Sequence, residues 1–87
     1  MENLQLTKEE FVKSNRYIIG GEIRKYRDKK GFSQNHLATL MGISRATISK
    51  IENGKFAFSI DYLAKFAWHL DFDITIFEKE QFKISSL

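Results

Sequence analysis

The chain has 87 residues, 43% hydrophobic and 29% charged, with a formal net charge of +3. That length supports one small core, not two, and eight Phe with three Tyr supply too much apolar surface for a disordered tail protein. Without cysteine there is no disulfide framework, thiolate metal site or thiol nucleophile; two distant histidines make no metal site, and no apolar run approaches the roughly 20 residues that span a bilayer.

Met1-Glu2-Asn3-Leu4-Gln5 has neither the basic nor the apolar region of a signal peptide, so a cytoplasmic location is expected. Thr7-Lys8-Glu9-Glu10 reads as a capping box that starts a helix. Phe11, Val12, Tyr17, Ile18, Ile19, Ile23 and Tyr26 keep helical spacing up to Gly31. Ser14-Asn15 and Gly20-Gly21 weaken the middle of this stretch, which predicts a break between a short first helix and a main helix ending near Lys30. Gly31 suits a left-handed C-cap, and Lys29 and Lys30 complement the negative end of the helix dipole.

Ser33 can cap a helix over 34–41 with Leu37, Leu40 and Met41 on its apolar face. Gly42-Ile43-Ser44 then leads into a helix over 45–52, with Ser44 as cap and Ile48 and Ile51 facing inward. Asn53-Gly54 signals a turn, and Phe56 and Phe58 beyond it read as cover for the core edge or as groups that approach a binding partner. Ser59 caps a further helix over 60–70, with Leu63, Phe66, Ala67 and Leu70 on one stripe. Residues 72–78 change texture: β-branched and aromatic residues with partial alternation predict a strand, against the rival of a last helical turn. A lone strand needs a partner for its N–H and C=O groups, and the same strand of a second copy is the expected one. Size favours a homodimer too. Residues 80–87 read as frayed. The division expected is an N-terminal extension with a short helix at 1–14, a helical domain at 15–71 that holds the two short helices, and a strand and tail for dimerisation at 72–87, through Phe72, Ile74, Ile76 and Phe77.

The charge is unevenly placed. Residues 1–23 carry net −1, residues 24–55 net +6 and residues 56–87 net −2. A basic middle between acidic flanks is the footprint of a polyanion binder, although a solvated helix surface would look the same. Two short helices joined by a three-residue turn containing Gly form the helix-turn-helix arrangement. Arg45, Ala46, Ser49 and Lys50 would then lie on the exposed side of the second helix, where small and polar residues let a helix reach the floor of a major groove.

Ile23-Arg24, Arg27, Gly31-Phe32-Ser33-Gln34, Leu37-Ala38, Gly42-Ile43-Ser44, Ile48-Ser49 and Ile51-Glu52-Asn53-Gly54-Lys55 resemble the Cro/C1-type (xenobiotic response element) helix-turn-helix family. The likeness runs from about Ile19 to Leu70. It implies an all-α, lambda-repressor-like bundle of four to five helices, here with the C-terminal strand at 72–78 added, and a DNA-binding, non-enzymatic protein without cofactor. By the resemblance, Gln34 contacts the DNA backbone, Arg45, Ala46 and Lys50 read bases with Ser44 and Ser49 close by, and Thr47, Asn53 and Lys55 contact phosphates. Arg27 and Glu52 match an ion pair that ties the first helix to the recognition helix.

Each assignment has a plainer alternative. Arg45 is the best candidate for a bidentate guanine contact; Lys50 reads also as a phosphate or solvent lysine, Ala46 as a mere helix former, Gln34 as a mere first residue of a helix. Trp68 and His69 read as packing or surface rather than ligands, and His36 as surface. Where many relatives have a fifth helix this chain offers a strand, which resembles the HipB-like antitoxins and autoregulators, and Phe58 stands where proline is common. Two functions therefore stand: a dimeric, sequence-specific transcription regulator acting on double-stranded DNA, with repression expected; or an antitoxin that also binds a toxin protein through the aromatic tail of Trp68, Phe72, Phe77 and Phe82. No nucleophile arrangement or Gly-rich phosphate loop supports an enzyme.

Overall fold

The computed structural model describes residues 5–79. Among them it holds four helices: α1 (Lys8–Lys30), α2 (Gln34–Met41), α3 (Arg45–Glu52) and α4 (Ile60–Leu70). The bounds follow local chemistry. Thr7 and Glu10 close the capping box on α1, each side chain accepting from the other's backbone N–H at 3.0 and 2.9 Å. Ser33, Ser44 and Ser59 cap α2, α3 and α4 through their hydroxyls. Gly31 and Gly42 end α1 and α2 at φ 76° and 71°, and Phe32 and Ile43 return N–H bonds to Arg27 and Ala38.

Every helix contributes to one core. Ile23 comes from α1, Leu37 and Ala38 from α2, Ile48 and Ile51 from α3, and Phe66 and Leu70 from α4. α1 and α2 both pack on α3, and α4 closes against α1 and α2. Phe56 and Phe58 are half-buried against this core.

The expected break in the first helix is absent: α1 runs unbroken for 23 residues, through the expected boundary between residues 14 and 15. Gly20 is buried against the end of α3, where a Cβ would overlap the Ile51 carbonyl oxygen and meet that of Glu52 at 3.0 Å. A glycine that weakens a helix locally is used here for a close helix crossing. Packing along α1 outweighs the propensity cost of the two glycines, about 1 kcal/mol each.

The expected strand at 72–78 is not seen. Among the described residues there is no strand at all, because no second extended segment offers a ladder to it. The chain instead turns at Asp71, which adopts a left-handed conformation (φ 59°) and pairs with Lys30. Phe72 packs on Tyr26 with the rings tilted by 35° and their centroids 5.3 Å apart. Further on, Lys79 sits over the Phe11 ring. The tail thus runs antiparallel to α1. The distances agree: 15 helical residues from Phe11 to Tyr26 rise about 22 Å, and seven extended residues reach about 23 Å. The expected fraying at 80–87, and Phe82, lie outside the described residues.

Candidate nucleic-acid interface

α2, the Gly42 turn and α3 form a compact corner. Leu37, Ala38, Ile48 and Ile51 hold it from inside, which turns the opposite side of α3 to solvent. Arg45, Ala46 and Lys50 are exposed there, Ser49 is half-buried, and Ser44 is exposed at the helix start. The Ser44 hydroxyl accepts from the Thr47 N–H at 3.0 Å and lies 2.9 Å from the Thr47 hydroxyl, so these two side chains are engaged in holding the first turn. At the other end, the Asn53 N–H and side-chain amide both donate to the Ser49 carbonyl, at 3.1 and 2.9 Å. The Lys55 N–H donates to the Lys50 carbonyl at 2.8 Å. The turn after α3 is thereby fixed to the helix, and Asn53 and Lys55 are exposed on it.

Beneath this surface lie Arg27 and Glu52, the only buried charged residues among those described. Arg27 Nε donates to Glu52 Oε2 at 2.6 Å and Nη2 to Oε1 at 3.0 Å. Nη1 donates to the Phe32 carbonyl at 2.8 Å and lies 3.3 Å from Asp28. The bond to Glu52 outweighs the opposing effect of burial and holds the Arg27 pKa above its ordinary value. No buried side-chain nitrogen or oxygen among the described residues lacks a partner, which is the condition under which a buried ion pair is tolerated.

Gln34 is placed differently from a free backbone-contact residue. It is half-buried, and its amide nitrogen donates to Glu52 Oε1 at 3.1 Å. Glu52 therefore joins the first residue of α2, the last residue of α3 and α1. Sequence reasoning missed this link, because no local spacing connects residues 34 and 52. It also missed two close approaches, Gly20 against Ile51 and Gly54 against Tyr17; at Gly54 (φ 73°) a Cβ would lie 2.8 Å from the Tyr17 Cα. The signal for Gly20 was present in its spacing of two turns from Arg27, which puts both on the same side of α1.

Of the residues expected in dimerisation, Phe72 packs on its own core, while Ile74 is 41%, Ile76 92% and Phe77 83% exposed. Trp68 on α4 is 79% exposed. His36 packs edge-on against Phe32. No helix among the described residues is long and apolar enough to cross a membrane.

The fold is similar to the crystal structure of the restriction-modification controller protein C.AhdI from Aeromonas hydrophila. The TM-score is 0.64 and the identity 32%, over 69% of this chain and 91% of that one. In sequence the chain is 40% identical over 65 residues to the HTH-type transcriptional regulator SlrR of Bacillus subtilis (strain 168); the match covers 72% of this chain and 43% of SlrR. The chain thus spans less than half the length of that relative. Residues 23–77 match the helix-turn-helix family. That stretch holds the whole α2–turn–α3 corner with its Arg27–Glu52 anchor, and the chain belongs to the Cro/C1-type helix-turn-helix family.

Proposed function

We propose that this protein is a sequence-specific, DNA-binding transcription regulator that acts as a homodimer on a near-palindromic operator and represses the promoter it occupies. The observation that carries the reading is the division of α3: Ile48 and Ile51 are buried in the core, while Arg45, Ala46 and Lys50 stand exposed to solvent. In the major groove, Arg45 would read guanine O6 and N7, Ala46 would meet a thymine methyl, and Ser49 and Lys50 would face bases or the groove edge. Ser44, the cap of α3, would sit close to the base-reading residues, and Thr47, Asn53 and Lys55 would contact the phosphates that flank the groove. Gln34 reaches a phosphate only through the part of its amide not used by Glu52.

Dimerisation is proposed through the tail at 72–78. Its extended backbone and the exposed Ile76 and Phe77 suit pairing with the same segment of a second copy, an arrangement like that of the HipB-like proteins. A two-fold dimer would read half-sites about one helical turn apart, roughly 34 Å. Selection of bound duplexes from a random pool at physiological salt tests the reading. A two-fold symmetric motif is expected; recovery of only non-specific, salt-sensitive DNA overturns it. Repression is tested separately, with a reporter behind the selected operator.

The exposed Trp68, with Ile60 63% exposed on the same helix, favours a second reading, in which the regulator is also an antitoxin that holds a toxin protein. Co-purification with the product of the adjacent gene, and growth rescue on its expression, would support that reading. Failure of both removes it.

A further inference from the structure

The first half of α1 lies outside the family match, which begins at residue 23. It is nevertheless tied to the proposed DNA surface. Tyr17 is in contact with Gly54, in the turn that carries Asn53 and Lys55, and Gly20 is in contact with the end of α3. On a helix with 3.6 residues per turn, Glu9, Lys13, Arg16, Gly20 and Arg27 fall on one side, with steps of four, three, four and seven residues. Gly20 and Arg27 fix that side as the one facing α3. Continued past Gly20, the same side overhangs the Asn53–Lys55 turn with Arg16 and then Lys13, one and two turns out.

The charge on this overhang is unspent. Arg16 is half-buried and Lys13 exposed, and neither forms an ion pair among the described residues. Lys25, on the other side of α1, is paired with Glu22 at 3.2 Å. Glu9, a further turn out, ends the positive strip.

We infer that Lys13 and Arg16, with the exposed Tyr17 between them and the turn, form an additional binding site for the phosphodiester backbone of DNA, continuing the path begun by Asn53 and Lys55. The site takes phosphate and reads no base. It rests on the regulator reading above. Its cations stand about 6 to 10 Å along the helix from Gly20, on a rigid element rather than a flexible arm. A duplex with α3 in its major groove presents its flanking strand beside the end of α3, and that strand is the ligand.

The test is the salt dependence of binding to the selected operator, with the full chain and the variants Lys13→Gln, Arg16→Gln and their double. Removing one phosphate-binding cation should reduce the slope of log K against log salt by about 0.9, so the double variant should differ from wild type by about 1.8. The wild-type advantage should then shrink about tenfold between about 50 and about 200 mM salt, with the base preference unchanged. Arg16→Lys should keep the wild-type slope, and so should Lys25→Gln on the opposite side. A thermal melt checks that each variant is folded. A double variant with the wild-type slope overturns this inference and leaves the regulator reading standing. A wild-type chain that selects no operator overturns both.

Discussion

Gly20 of α1 lies so close to the Ile51 carbonyl oxygen of α3 that no Cβ fits between them, while its neighbour Gly21 has nothing within 4 Å of the corresponding position. Two adjacent glycines in one helix therefore have opposite consequences. Gly20→Ala is expected to destabilise the protein by about 1–3 kcal/mol, since backbone must move to admit the methyl group. Gly21→Ala is expected to stabilise it by about 1 kcal/mol through helix propensity alone. Thermal melts of the two variants check the pair; equal effects would show that the two helices cross with room for a methyl group.

Glu52→Ala should be the most damaging single change in the corner. It leaves Arg27 charged and buried without its carboxylate, and frees Gln34 from its anchor. Removing one member of a buried pair costs about 3–5 kcal/mol. Arg27 keeps its charge even without Glu52, because an arginine side chain stays protonated at any pH used for such work. Urea denaturation measures the destabilisation. A change under about 1 kcal/mol, the scale of an exposed ion pair, would mean that the pair is structurally dispensable.

Arg45→Ala is expected to cost about 1–3 kcal/mol in operator binding and to relax preference at one base position. Lys55→Ala should instead weaken binding to all duplexes alike and lower the salt slope by about 0.9. Repeating the duplex selection with each variant separates the roles. A uniform weakening for Arg45→Ala would place Arg45 on the phosphates.

Truncation after Asp73 removes Ile74, Ile76 and Phe77 but spares the Asp71 turn and the Phe72–Tyr26 contact. The truncated chain should fold, sediment as a monomer and bind its operator weakly. A dimer that survives truncation would move the subunit interface to another surface, with Trp68 on α4 the first to examine.

The ends of the helices were legible because they are marked by local chemistry, although the unbroken course of α1 was not. Thr7, Ser33, Ser44 and Ser59 each cap the residue run that follows, and Gly31 and Gly42 each close one. What depends on distant residues was not. Gly20-Gly21 carries a helix-weakening signal locally, and only the end of α3 gives the first glycine its purpose. The tie from Gln34 to Glu52 was hidden because the two lie 18 positions apart. The stretch from Phe72 onward has the composition of a strand, but composition supplies no partner, and within one chain it follows α1 instead. Asp71 gave no hint of its left-handed turn, a conformation more usual for glycine. Family resemblance, not spacing, linked Arg27 to Glu52 across 25 residues.

The unbroken course of α1 has a mechanical consequence. With its outermost contact on the corner at Tyr17, which touches Gly54, the helix is a lever whose outer arm, back to Lys8, is about 14 Å long. A tilt of about 10° there would sweep the tip through about 2 Å, enough to make or break a phosphate contact. The tail, packed on Tyr26 at one end and set over Phe11 by Lys79 near the other, braces that arm. If the outer arm binds phosphate as proposed, whatever holds or releases the tail also sets the angle of that contact.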